Sequence, residues 1–179
     1  MNAKQAAAFK AVEYIKNGMV IGLGTGSTAY WAIQYLAERV KQGLQVTTVA
    51  TSAETEKIAL QCGIPVVPLD AVEYIDIDID GADEVDADMN LVKGGGGALL
   101  REKIVASASR AFIVIAGDSK RVEVLGKFPL PAEVIPFGWK HTARQLAALG
   151  CSTSLREKDA KIFITDNGNY IIDCHFGAI

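Results

Sequence analysis

No stretch of this chain is apolar for long enough to cross a bilayer: the longest clean run, residues 111–116, is far short of the roughly 20 residues that a spanning helix needs. Cysteine is scarce. Cys62, Cys151 and Cys174 are an odd number without CxxC spacing and follow no signal peptide, so they read as small buried hydrophobes in a reducing cytoplasm. Positive charge is not in excess either. The 18 basic and 21 acidic residues leave a net charge of −3, which offers phosphate backbones no attractive field and removes nucleic acid from the expected partners. Only two histidines occur, His141 and His175, and neither has metal-ligand spacing. Glycine and proline, 17 and 5 residues, are at ordinary levels. With 50% hydrophobic and 22% charged residues, the chain is not disordered, collagen-like or a disulfide miniprotein. A soluble globular protein remains, whose 179 residues fill one domain, or a main domain with a small second lobe.

What is present is an alternation of short apolar runs and amphipathic stretches. A helix is predicted over residues 6–16, ended by Asn17-Gly18, and a strand over 19–23 leads through a glycine-rich turn into a helix over 29–40. The unit recurs as strand 46–50, helix 53–61 and strand 64–67. Strand 74–79, a short strand at 90–92, helix 98–107 and strand 112–116 follow. Such alternation predicts an α/β fold: an open, mostly parallel, Rossmann-like sheet with helices on both faces. Phe128-Pro129-Leu130-Pro131 interrupts the pattern, which places a boundary between a catalytic domain over residues 1–130 and a small α+β lobe over 131–179. In that lobe a strand at 134–135 and a helix over 140–149 precede a strand at 152–156. A hairpin pairing 161–165 with 170–174 across Asn167-Gly168 completes a β-α-β-β order, an incomplete ferredoxin-like plan.

Four loops are candidates for chemistry. Gly22-Leu23-Gly24-Thr25-Gly26-Ser27-Thr28-Ala29 lies where a strand turns into a helix, so backbone amides and the positive end of the helix dipole favour an anion. The loose dinucleotide pattern from Gly24 to Ala29 lacks its acidic partner, since the next strand ends in Ala50-Thr51-Ser52. A compact phosphate monoester is therefore preferred to NAD, with a purely structural turn as the remaining reading. Asp76-x-Asp78-x-Asp80-Gly81 imitates a calcium loop, but its twelfth position is Ala87, and Ile75, Ile77 and Ile79 alternate as in a strand. Asp80 and Asp83 follow the end of that strand, where a carboxylate pair can hold sugar hydroxyls or exchange protons, while Asp86 and Asp88 read as a solvated loop. Lys93-Gly94-Gly95-Gly96-Gly97 places an ammonium beside backbone amides that can approach a developing oxyanion. Gly117-Asp118-Ser119-Lys120 offers a further cation after a strand, or an ordinary surface loop. Glu102, between Arg101 and Lys103, reads on spacing alone as a solvated helix position.

Taken in order, Gly24-Thr25-Gly26-Ser27-Thr28, Asp80-Gly81-Ala82-Asp83-Glu84, Lys93-Gly94-Gly95-Gly96, Arg101-Glu102-Lys103 and Gly126-Lys127-Phe128-Pro129-Leu130-Pro131 resemble the motifs of ribose-5-phosphate isomerase type A. The resemblance covers essentially the whole chain. It implies an aldose-ketose isomerase of the non-oxidative pentose phosphate pathway, without metal or cofactor, acting as a homodimer or homotetramer. It also implies roles. Glu102 is the base moving a proton between C2 and C1, Lys93 and the amides of Gly94, Gly95 and Gly96 hold the enediolate oxygen, and Asp80 assists ring opening. Asp83 binds hydroxyls beside Gly81 and Ala82, and Thr25, Gly26, Ser27, Thr28 and Lys120 bind substrate, with Ser27, Thr28 and Lys120 on the phosphate and Lys4 as a further candidate. The alternatives are a related sugar-phosphate isomerase or amino-sugar-phosphate deaminase, and a non-catalytic sugar-phosphate sensor. A sensor, however, would have no need of Lys93 and Glu102, and no helix-turn-helix segment accompanies them. Family members continue for a few dozen residues beyond the position of Ile179. The small lobe is accordingly expected to leave an apolar face around Val134, Leu146, Ile162, Ile164 and Ile171 open or covered by a neighbouring chain.

Overall fold

A computed structural model describes residues 2–179 of the chain. The elements run α1 (Ala3–Val12), β1 (Val20–Leu23), α2 (Ala29–Lys41), β2 (Thr47–Ala50), α3 (Ala53–Gln61), β3 (Ile75–Asp80), β4 (Glu84–Val85) and β5 (Leu91–Val92). They continue with α4 (Leu99–Ser107), β6 (Ser109–Val114), β7 (Leu130–Val134), α5 (Trp139–Ala147), β8 (Ser152–Leu155), β9 (Glu157–Lys158), β10 (Lys161–Ile162) and β11 (Tyr170–His175). The chain divides into two compact units, Met1–Gly81 with Arg101–Ser119, and Ala82–Leu100 with Lys120–Ile179.

The first unit holds a four-stranded parallel sheet in the order β2-β1-β3-β6. The β1-α2-β2 crossover leaves β1 in one direction and the β3-α4-β6 crossover leaves β3 in the other, so the winding reverses between β1 and β3. In open α/β sheets ligands bind outside the carboxyl ends of the strands at such a reversal. Successive residues of β1 point to opposite faces. Ile21 and Leu23 enter the core formed with Ala8, Val12, Ile33 and Leu36 of α1 and α2, whereas Gly22 faces Asp78 of β3 and Val105 of α4. A Cβ at position 22 would stand 2.5 Å from the Asp78 carboxylate and 2.8 Å from Val105, closer than any packed core tolerates. Gly22 thus makes room for Asp78 of the neighbouring strand.

Several local expectations differ from what forms. The first helix starts at Ala3, because Asn2 accepts from the Gln5 amide while the Gln5 side chain accepts from the Asn2 amide, a capping box. It ends at Val12, well before Asn17-Gly18. The run at 64–67 makes only a single parallel bridge, Thr48 to Val66, and the last parallel strand begins at Ser109 instead of Phe112.

The second unit contains the antiparallel pair β4-β5, the three-stranded antiparallel sheet β7-β11-β8 and the hairpin β9-β10. Helix α5 packs Ala143 and Leu146 against Cys151, Ile172 and Cys174. The predicted hairpin between 161–165 and 170–174 does not form: Lys161–Ile162 pairs with Glu157–Lys158, and β11 lies between β7 and β8. The hairpin that does form turns on Asp159 and Ala160, with φ of 53° and 58°. Two successive positive φ values define the turn that matches strand twist, and it normally takes Asn-Gly or Asp-Gly, so an alanine gives no signal. The Asn167-Gly168 turn is tied to β7 instead. The Oε1 of Glu133 accepts from Thr165 Oγ1, Asn167 Nδ2 and Asn169 Nδ2 at 2.9–3.0 Å. Of the apolar positions expected on an open face, Ile171 is fully buried and Val134 and Leu146 are packed against the α5 cluster, while Ile162 and Ile164 are exposed.

Candidate active site

Asp80, Gly81 and the loop from Gly24 to Thr28 meet at the carboxyl ends of β1 and β3. Asp80 is 1% exposed, and its Oδ1 accepts from the amides of Thr25 at 3.1 Å and Gly81 at 2.7 Å. A Cβ at position 24 would overlap the Asp80 side chain, so Gly24 has a steric purpose as well as the anion-binding one read from the sequence. Gly24→Ala is expected to displace the carboxylate. Overpacking of this kind costs about 1–3 kcal/mol, and a misplaced catalytic group costs roughly ten-fold to 10²-fold in kcat/KM. Thermal melts and steady-state kinetics check the two effects separately.

Beyond Asp80 the loop turns into α2. Thr28 occupies the N-cap without a side-chain capping bond, and the amides of Gly26, Ser27 and Thr28 have no backbone acceptor among the described residues. Lys4, on α1, donates from Nζ to Ser27 Oγ at 2.8 Å. A cavity of about 280 Å³ opens between this loop and Glu54, Thr55 and Ile58 of α3. Because Glu54 repels an anion, the Lys4 and Ser27 end of the loop is the electrostatically favourable seat. Glu102 lies in the first turn of α4 and is 4% exposed, which overturns the solvated-helix reading that spacing alone gave.

A hydroxyl cluster missed in the sequence secures this loop. Thr25 Oγ1 lies 2.8 Å from Thr51 Oγ1, 2.9 Å from Ser52 Oγ and 3.1 Å from Thr55 Oγ1. Thr51 donates to the Leu23 carbonyl and Thr55 to the Gly24 carbonyl, both at 3.0 Å. Thr51, Ser52 and Thr55 are buried. The signal was present: Ser52 caps α3 by accepting from the Thr55 amide, a recognisable Ser-x-x-Thr start.

In the second unit, Lys93 follows β5, a strand of the antiparallel β4-β5 pair and not of the parallel sheet. Asp83 Oδ2 accepts from the Gly95 amide at 2.7 Å, and a Cβ on Gly95 would lie 2.5 Å from Asp83 Oδ1 and 2.9 Å from Phe128. Ala82 is half-buried beside Asp83, Gly94 is buried and Gly96 is exposed. Glu84, 3% exposed, accepts from the amides of Gly126 at 2.7 Å and Phe128 at 2.6 Å and so fixes the Gly126–Pro131 motif. Arg156 reaches the glycine run from after β8: Nη1 donates to the carbonyls of Gly94 at 2.9 Å and Gly95 at 3.2 Å. Nothing in the sequence pointed to it. Lys120 ends the short 3-10 turn Asp118–Lys120 after β6. Among the described residues no three His, Cys, Asp or Glu side chains converge to hold a metal ion, and no helix is long and apolar enough to cross a membrane.

Comparison with known proteins agrees with this chemistry. The family model described as ribose 5-phosphate isomerase A (phosphoriboisomerase A) matches residues 47–179. The ribose-5-phosphate isomerase A of Bacillus mycoides is 56% identical over 176 residues, 98% of this chain and 80% of that protein. A solved D-ribose-5-phosphate isomerase in complex with phospho-erythronic acid superposes with a TM-score of 0.95 at 43% identity, covering 100% of this chain and 82% of the other. The ribose 5-phosphate isomerase of Methanocaldococcus jannaschii gives a TM-score of 0.93 at 44% identity over 97% of this chain and 79% of its own.

Proposed function

The chain belongs to the ribose 5-phosphate isomerase A family and interconverts ribose 5-phosphate and ribulose 5-phosphate; from that premise we propose how its residues divide the reaction. Glu102 takes the proton from C2 of the open-chain aldose and returns it to C1. Lys93 and the following amides stabilise the enediolate oxygen as charge develops there. Asp80 exchanges a proton with the ring oxygen during opening, and Asp83 holds hydroxyls. Gly26, Ser27 and Thr28 supply amides and hydroxyls to the phosphate, joined by Lys4 and Lys120. With its amide on Asp80 and its hydroxyl in the threonine-serine cluster, Thr25 shapes the loop. All these residues fall within residues 1–130, read from the sequence as a catalytic domain before a small lobe over 131–179, although Asp83, Lys93 with the amides after it, and Lys120 belong to the second compact unit and the others to the first. The protein is proposed to act in the cytoplasm as a homo-oligomer.

One observation carries this reading most strongly: Asp80 is buried at the β1-β3 reversal and fixed by two amides, beside a loop whose amides at 26–28 have no backbone acceptor. A carboxylate held next to an anion seat is what a phosphorylated sugar requires and what a turn of purely structural purpose does not. A sugar-phosphate sensor is not favoured, because the curated relatives are named isomerases at 56% and 55% identity. The test is a coupled assay of ribose 5-phosphate conversion by this 179-residue chain with and without a chelator. Turnover unchanged by the chelator is the expected result, with phospho-erythronic acid competing against ribose 5-phosphate. Chelator-sensitive turnover would require a metal and a different division of roles.

A further inference from the structure

Arg156 lies outside every motif, yet its guanidinium is one of the most constrained groups in the second unit. Its backbone is held on both sides, its amide donating to the Ile171 carbonyl at 2.9 Å and its carbonyl accepting from the Phe163 amide at 2.9 Å. Asp173, on β11, accepts from Nε at 2.9 Å and from Nη2 in a two-pronged ion pair, with both side chains about 13–14% exposed. That fork leaves Nη1 aimed at the Gly94 and Gly95 carbonyls. A bidentate pair of this kind fixes orientation as well as charge.

The consequence for the glycine run follows from peptide geometry. The peptide bonds here are trans, so each carbonyl points opposite to the amide it is bonded to. The Gly94-Gly95 peptide is gripped at both ends: its carbonyl by Arg156 and its N–H by Asp83 Oδ2. The Gly95-Gly96 peptide has its carbonyl on the same guanidinium, which turns the Gly96 N–H away from Arg156. That amide has no backbone acceptor among the described residues, and Gly96 is exposed. Successive amides on one side of a loop form a concave anion seat. The Gly97 amide also donates to the Gly94 carbonyl at 3.0 Å, closing a turn over residues 94–97; the central Gly95-Gly96 peptide of that turn is the one that glycine by itself would leave free to rotate. The neighbouring Asp173 cancels the arginine's charge, so the pair contributes direction to the loop and little net field.

We propose that Arg156, held by Asp173, is a positioning residue for isomerisation: it sets the Gly94 and Gly95 carbonyls so that the Gly96 amide donates to the enediolate oxygen. This rests on the role proposed above for the loop after Lys93. Because the contact it arranges strengthens only as charge develops, its loss acts on kcat and spares ground-state binding.

The test uses Arg156→Lys, Arg156→Ala and Asp173→Asn in the full chain, with ribose 5-phosphate kinetics and a thermal melt for each. Arg156→Lys keeps the charge but cannot grip the carboxylate and both carbonyls together. In variants that remain folded, kcat is expected to fall about ten-fold to 10²-fold with KM changed less than about two-fold. Millimolar guanidinium is expected to restore part of the activity of Arg156→Ala. A folded variant with kcat within about two-fold of the parent, or one whose KM rises in step with the loss of rate, overturns the proposal. If Arg156→Ala does not fold, Arg156→Lys and Asp173→Asn decide it. The outcome is separable from the parent reading: unaltered Arg156 variants in a chain that Glu102→Gln inactivates refute only this inference, whereas a parent chain without isomerase activity refutes the roles on which it rests.

Discussion

Glu102→Gln is expected to lower kcat by about 10²- to 10⁴-fold, the usual contribution of a positioned base, while leaving the fold and the KM for ribose 5-phosphate close to those of the parent. The side chains are nearly isosteric, so a position that is 4% exposed keeps its packing. What changes is the ability to accept a proton from carbon. A carboxylate takes the C2 proton and gives it back at C1, whereas an amide does neither. Steady-state kinetics beside a thermal melt make the check. Near-normal kcat in a folded Glu102→Gln variant would reduce Glu102 to a buried structural residue.

Lys93→Ala is expected to reduce kcat by roughly 10²- to 10³-fold, the scale on which a single oxyanion donor acts, and to raise KM far less. The ammonium meets a neutral hydroxyl or carbonyl oxygen in the ground state and a negatively charged oxygen in the enediolate, so its contribution is concentrated in the transition state. The reverse pattern, a large rise in KM with kcat retained, would move Lys93 to the phosphate. The comparison with Gly24→Ala is informative, because that substitution acts through overlap with Asp80 and is expected to lower stability together with rate.

The parallel half of the fold was legible because its elements carry strong, simple patterns. Met19 to Leu23 and Ile75 to Ile79 read as strands from buried apolar positions, and glycine stops separate them from amphipathic helices. Four of the expected strands form the parallel sheet, whereas 64–67 makes a single bridge and 90–92 joins an antiparallel pair. The small lobe was harder to read. Strands β9 and β10 are two residues each and exposed, so they have no hydrophobic pattern, and their turn lacks the expected glycine. The apolar periodicity of the first helix begins only at Ala6, whereas its start is set by the capping box of Asn2 and Gln5.

The site divides in a similar way. Loop identities were readable from glycine, carboxylate and lysine placed after strands, but the reasons for them were only partly so. Gly24 was assigned to anion binding, and its clearance for Asp80 emerges only from strand pairing, which sets β1 beside β3. Glu102 looks like a surface residue between Arg101 and Lys103, since spacing cannot say which helical face is covered; only the resemblance to the family singles it out, and the fold buries it to 4% exposure. Arg156 was invisible for a different reason. It acts on Gly94 from 62 positions away, and long-range tethering of a loop leaves no local mark in the sequence.

The central claim is that isomerisation proceeds by proton transfer through Glu102, and the most direct measurement follows hydrogen itself. Ribose 5-phosphate is converted in deuterium oxide by the parent chain and by Glu102→Gln, and C1 of the ribulose 5-phosphate is observed by NMR. A carboxylate that carries the proton exchanges it with solvent during part of the turnovers, so the account predicts deuterium at C1 with the parent and neither product nor exchange at a comparable rate with the variant. Product formed without any solvent deuterium, at a rate unaffected by Glu102→Gln, would contradict it.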